Sequence, residues 1–172
     1  MKIVVTGASG KLGRRVCQAM VDAGHDVAGV DRAYRPGVAC PLHVADLLRP
    51  EAMYPHLDEC DAVVHLANHP GARYSLPSMV YRENMLINLN VMQAAAEVGV
   101  PRVVFASSIQ VIASDDHDEY DDGESPMVAY LPLDRHSPVR ITNLYALSKL
   151  GGEQMLDYFT EHFDISGVSL RL

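Results

Sequence analysis

The chain of 172 residues contains no tryptophan, three phenylalanines and three cysteines. Cys17, Cys40 and Cys60 are odd in number, widely separated and outside any Cys-x-x-Cys spacing, which excludes a disulfide-stapled scaffold and a zinc ribbon. They read as reduced thiols of a cytoplasmic protein. Positive charge is also scarce: 14 lysines and arginines face 22 acids, for a net charge of −8. That balance argues against nucleic acid or an anionic membrane as a partner. No apolar run approaches the ~20 residues that span a bilayer, and "MKIVVTG" lacks the long apolar stretch and cleavage site of a signal peptide. The eight histidines show no metal-ligand spacing such as His-Glu-x-x-His, so no metal is expected. His65 sits in an apolar strand and reads as a packed side chain. Internal repeats are absent, and the acid-rich stretch "SDDHDEYDDGES" (114–125) reads as a solvated surface loop.

What is present alternates. "KIVVTG" (2–7) is a β-branched run ending in glycine, and residues 11–24 place Leu12, Val16, Met20 and Val21 at helical spacing before Gly24. Further strands follow at 25–31, 42–47, 60–67, 101–108 and 166–172, with a short helix expected at 49–57 and a long one at 77–100. A last helix opens on "NLYALSKLGGEQML" (143–156). Nearly all-apolar strands separated by helices predict one α/β domain over 1–172, a doubly wound parallel sheet or Rossmann fold. The 77–100 helix is apolar nearly all round, which predicts burial on more than one side. Gly151 and Gly152, costly inside a helix at about 1 kcal/mol each, point to close packing.

The first strand runs straight into "TGASGKLG", with Thr6, Gly7, Gly10 and Gly13 at the strand-to-helix turn. In that setting Gly7 serves the tight turn, Gly10 the approach of a pyrophosphate and Gly13 the packing of helix on strand. The helix N-terminus then offers free N–H groups and a positive dipole end to phosphates. Asp31 ends the second strand, where a carboxylate accepts hydrogen bonds from an adenosine ribose and repels a 2′-phosphate. NAD is therefore favoured over NADP, with Arg32 next in line as the residue that would attract the extra phosphate. Asp46, ending the third strand, reads equally as an adenine contact or a helix N-cap. Tyr145 and Lys149 lie four apart on a helix and share a face. An ammonium and a cationic nicotinamide beside the phenol would lower its pKa and make it an acid/base.

Together, "TGASGKLG", Asp31, "VVHLA", Asn84, "VVFASS" and "YALSK" resemble the extended short-chain dehydrogenase/reductases, the NAD-dependent epimerase/dehydratase group, over the whole chain. The resemblance implies that Tyr145 is the catalytic acid/base, Lys149 its activator and a ligand of the nicotinamide ribose, Ser108 the hydroxyl that orients substrate, and Asn84 the holder of a proton-relay water. It implies a cofactor site of Gly7, Ser9, Gly10, Lys11, Leu12, Gly13, Asp31, Arg32, Asp46, Leu47, Leu66, Ala67, Asn68, Ser107, Tyr145 and Lys149. The family more often has a second alanine where this chain has Asn68. Where dehydratases of the group carry an Asp-Glu pair, this chain has Ile109 and Gln110, so dehydration is disfavoured. Ile112-Ala113 stands where most nucleotide-sugar epimerases have Tyr-Gly, nearer the uronate dehydrogenase pattern. The expected activity is thus NAD-dependent oxidation of a hydroxyl on a sugar or nucleotide sugar, as a dehydrogenase or an epimerase. A non-catalytic NAD(P)-binding module or redox sensor is the alternative. The family pairs the 77–100 helix with the Tyr145 helix in a dimer interface, which implies a homodimer. Related proteins continue well past the position of Leu172, so most of a C-terminal substrate-binding part is expected to be missing.

Overall fold

Ile3, Val4 and Val5 open a parallel sheet because β-branched residues buried on both faces suit a strand covered by helices on either side. The structure, a computed structural model, describes residues 1–71, 76–113 and 128–172. Its strands are β1 (Lys2–Thr6), β2 (Asp26–Asp31), β3 (Leu42–Val44), β4 (Ala62–His65), β5 (Arg102–Ser107) and β6 (Ser166–Arg171). The helices are α1 (Lys11–Asp22), α2 (Pro77–Val98) and α3 (Leu144–His162). All six strands pair parallel in the order β3-β2-β1-β4-β5-β6. The order reverses between β1 and β4, so the carboxyl ends of those strands open a crevice.

Two apolar clusters cover the sheet. On one face Ile3, Val5, Val27 and Val64 pack with Ala8 and with Cys17 of α1. On the other, Val4, Val63, Val103 and Phe105 pack with Val91, Met92 and Ala95 of α2 and Leu156 and Phe159 of α3. Pro77 begins α2, where its missing N–H costs nothing, and Gly99 at φ 83° closes it by donating to the Ala95 and Ala96 carbonyls. A Cβ on Gly152 would lie 2.4 Å from Phe105 Cζ, and one on Gly151 2.7 Å from Met85 Sδ. The two glycines bring α3 down onto β5 and against α2, as the sequence suggests.

Three readings need adjustment. The strand expected over 42–47 stops at Val44, because Asp46 turns the chain: its Oδ1 accepts the Leu48 N–H at 3.1 Å. The helix expected over 49–57 is instead two separate 3-10 turns, Pro50–Ala52 and Tyr54–His56. Pro50 and Pro55 each remove an N–H and crowd the preceding turn, so no α-helix can run through both. Finally, α2 does not bury only apolar groups. Asn84, Asn88 and Asn90 are buried, while Leu86 and Leu89 face outward. The acid-rich loop 114–125 lies outside the described residues.

Candidate active site

Backbone geometry builds the first half of the site. Gly7 sits at φ 67°, and a Cβ there would press within 2.9 Å of the Ala67 nitrogen. A Cβ on Gly13 would stand 2.1 Å from the Gly7 carbonyl oxygen. Gly10 is the N-cap of α1 and supplies no side chain to it. The first-turn N–H groups of Lys11, Leu12 and Gly13 are therefore open to an anion, with the dipole of a 12-residue helix behind them. Ser9 is buried beneath this turn, donating from N (3.0 Å) and from Oγ (2.7 Å) to Asp31 Oδ2. Arg14 Nε holds the Ser9 carbonyl at 3.0 Å. Asp31 is thus fixed by one carboxylate oxygen, the other meeting no donor among the described residues, and Arg32 beside it is exposed. Asp46 acts as the cap of the turn at Leu48. Leu47 buries its side chain in the core, and its carbonyl accepts the Asn90 amide at 2.9 Å.

Thr6 links this cradle to β4. Its buried Oγ1 accepts the N–H groups of Leu66 (3.1 Å) and Ala67 (3.2 Å) and lies 2.7 Å from His65 Nδ1. The other ring nitrogen, Nε2, lies 3.0 Å from Asn88 Oδ1. His65 is fully buried, and burial pushes its pKa down to about 3, with the Lys149 charge adding to the shift. The ring is neutral at any ordinary pH.

The second half gathers at the carboxyl ends of β4 and β5. Asn143 caps α3 by accepting the Ala146 N–H at 2.7 Å. Its Nδ2 donates to Gln110 Oε1 at 3.1 Å. Gln110 therefore ties the turn after β5 to the start of the helix that carries Tyr145. Ser108 accepts the Gln110 N–H at 3.3 Å and stands near enough to the Tyr145 phenol to lower its pKa. Lys149 Nζ stands 5.6 Å from the centre of the Tyr145 ring. It donates to Asn68 Oδ1 and to the Ala106 carbonyl, both at 2.7 Å. The lysine is 4% exposed, and burial pushes its pKa down to about 7. Burial also pushes the Tyr145 phenol up, while the Ser108 hydrogen bond pulls it back. The sequence leads one to expect a lowered phenol. The protein's own groups give the opposite direction, because the phenol is itself desolvated by burial.

Asn84 and Ser107 have other partners. The Asn84 amide donates to Ser148 Oγ (3.1 Å) and the His69 carbonyl (3.3 Å), and its Oδ1 accepts the His69 N–H (2.7 Å). It locks α2 to α3 and to the loop after β4. Ser107 is buried and donates to Glu153, which Arg171 grips through two nitrogens at 2.9 and 2.8 Å. Sequence reasoning passed over Asn88 altogether and took His65 for packing alone. Asparagines at 84 and 88, one turn apart in an apolar helix, were the available signal. Among the described residues no His, Cys, Asp or Glu cluster could hold a metal, and no helix is long and apolar enough to cross a membrane.

The sequence profile of the NAD dependent epimerase/dehydratase family matches residues 3–172. The NAD-dependent glucose-6-phosphate dehydrogenase of Haloferax volcanii is 32% identical over 99% of this chain and 67% of its own length. The uronate dehydrogenase of Pseudomonas syringae pv. tomato is 29% identical over 99% of this chain and 58% of its own. Among solved structures, the UDP-glucose 4-epimerase of Thermus thermophilus in complex with NAD superposes with a TM-score of 0.82 at 25% identity. That alignment covers 99% of this chain and 54% of the epimerase. The chain thus spans roughly half to two thirds of the lengths of the proteins it resembles.

Proposed function

Because this chain belongs to the NAD-dependent epimerase/dehydratase family, we propose that it binds NAD and, with Tyr145 as acid/base, oxidises a hydroxyl of a sugar or nucleotide sugar. The observation that carries the proposal is Lys149 Nζ behind the Tyr145 ring at 5.6 Å, with Ser108 near enough to pull the phenol's pKa down, at the same sheet edge as the glycine cradle. The cradle fits a pyrophosphate, since its glycines leave no side chain in the way and its helix N-terminus is uncapped. The open oxygen of Asp31 suits ribose hydroxyls and opposes a 2′-phosphate, which favours NAD over NADP.

When bound, the nicotinamide ring supplies a hydride acceptor. Tyr145 takes the proton of the substrate hydroxyl as the carbinol hydrogen departs with its electron pair, and Ser108 holds the same oxygen. Lys149 places partial positive charge by the phenol and would hold the nicotinamide ribose through an N–H not given to Asn68 or Ala106. Asn84, with both amide N–H groups engaged, keeps one Oδ1 lone pair for a relay water. Dehydration is disfavoured, because Gln110 is held by Asn143 and Ile109 offers no acid or base. The dehydrogenase relatives favour net oxidation, and the epimerase structure favours internal return of the hydride. A shallow apolar cleft of about 280 Å³ between α2 and α3, lined by Met85, Leu89 and Tyr158, supports pairing of these helices in a homodimer.

Calorimetric titration should show tighter binding of NAD than of NADP. Incubation with uronates, sugar phosphates and nucleotide sugars, followed at the absorbance of NADH, separates the two activities. Net NADH indicates a dehydrogenase, and isomerised sugar without it an epimerase. Tyr145→Phe should lower turnover by ~10²–10⁴-fold with NAD affinity retained. Undiminished turnover in that variant would leave only a nucleotide-binding module.

A further inference from the structure

A run of buried and half-buried hydrogen bonds joins the cradle to the catalytic lysine through residues to which the acid/base reading gives no part. Its direction can be assigned group by group. Thr6 Oγ1 already accepts two backbone N–H groups, so its own hydrogen points to His65 Nδ1. That makes Nδ1 the acceptor and Nε2 the N–H of a neutral ring. Nε2–H then donates to Asn88 Oδ1, which also accepts the Asn68 amide at 2.9 Å. With Nδ2 committed to Asn88 and to the Ala67 carbonyl, Asn68 must present Oδ1 to Lys149, and a lysine can only donate. Every group in the run has one workable orientation.

The arrangement carries a cost that marks it as specific. Asn88 Nδ2 is buried with no partner among the described residues. It also needs Gly152 opposite it, since a Cβ there would stand 2.8 Å from that nitrogen. An amide held at the expense of an unpaired donor is held for its oxygen. The acceptor offered to Lys149 is neutral, and among the described residues no acid is paired with the ammonium. The titratable groups facing Nζ are Tyr145 on α3 and His65 on β4.

We infer that Asn68, itself locked by Asn88, is a positioning residue for Lys149: it fixes the ammonium between β5 and the phenol without adding a counter-charge. The inference rests on the proposed acid/base role of Lys149. A carboxylate in the same place would hold the ammonium too, but would keep it fully charged and turn it away from the phenol. An apolar residue would leave it one acceptor short.

Lys2, Lys11 and Lys149 are the only lysines in the chain. The ε-carbon resonance of Lys149 can therefore be followed alone in protein carrying isotopically labelled lysine, with no nucleotide or substrate present. Asn68→Leu keeps the volume and admits no water, and should lower the Lys149 midpoint by roughly half a pH unit. Asn68→Asp keeps the shape and should raise it by ~1–3 pH units. Asn88→Leu should move it in the direction of Asn68→Leu. Circular dichroism establishes that each variant is folded, and Asn68→Asp, which changes one atom, keeps the test decisive if a leucine variant does not fold. An unchanged midpoint in either Asn68 variant, or in folded Asn88→Leu, overturns the inference. Failure of the parent protein to bind NAD, with these shifts intact, would instead count against the proposed function. In the full reaction, Asn68→Asp should displace the alkaline limb of the kcat profile in the same direction.

Discussion

On one side of the crevice, between β1 and α1, Gly7, Gly10 and Gly13 clear space. On the other, between β4, α2 and α3, the buried His65, Asn88 and Lys149 and the half-buried Asn68 fill it with polar groups. In the proposed reading the first region binds with its main chain, so its tolerance for change is set by hard contacts. The second works with side chains whose partners lie far off in sequence, so its tolerance is set by hydrogen-bond pairing and charge. One fails by steric clash and the other by loss of a partner, and these have different signatures.

The largest effect should come from the first region. Gly13→Ala places a methyl 2.1 Å from the Gly7 oxygen. The turn has to open, at a cost of ~1–3 kcal/mol in stability, and NAD affinity should fall by a hundredfold or more in a calorimetric titration. Neither loss should depend on pH. A variant that bound NAD as well as the parent would show that the cradle does not hold the pyrophosphate.

The second region should answer to pH. Lys149 has a pKa near 7 in the folded chain and an ordinary, higher value when unfolded. Between those values the unfolded state binds more protons, so stability rises with pH. The contribution is fully present above the unfolded pKa and is lost as pH falls to about 7, a span on the order of 5 kcal/mol. Lys149→Met removes that dependence. Its stability relative to the parent should be greatest at pH 6–7 and shrink steadily toward pH 10, read from denaturant midpoints at each pH. A constant difference would mean that the lysine is solvated.

The smallest effect lies where the regions are joined to the rest of the fold. Asn143→Ala loses the cap of α3 and the link to Gln110, at about 1 kcal/mol, or a thermal midpoint ~2–4 °C lower. Because Tyr145 sits in the first turn of that helix, kcat should fall several-fold while NAD affinity holds. A fall in NAD affinity of equal size would erase the distinction between the two regions.

Their legibility in sequence differs for the same physical reason. The cradle is local: residues 6–13 meet one another within a single turn, and each glycine's purpose follows from spacing. Tyr145 and Lys149 were legible on the same ground, four apart on one helix. The strand order follows from the alternation of elements. Hydrogen bonds between residues 68 and 149, or 65 and 88, have no period, and nothing local distinguishes Asn88 from a surface amide. The turns at 50–56 escaped because two prolines five residues apart allow a helix start twice but a continuous helix never. The upward push on Tyr145 escaped because desolvation depends on burial by neighbours, which spacing does not report.

The buried run that ends at Lys149 also sets where protons cannot go. Two of its members are amides, which neither gain nor lose a proton at ordinary pH, and its one imidazole is held neutral far below that range. It transmits orientation but conducts no protons. In the proposed reaction, a proton taken up by Tyr145 therefore has no path through this run toward the glycine cradle. The inner wall of the crevice is an insulator, and traffic with bulk water is confined to its open face.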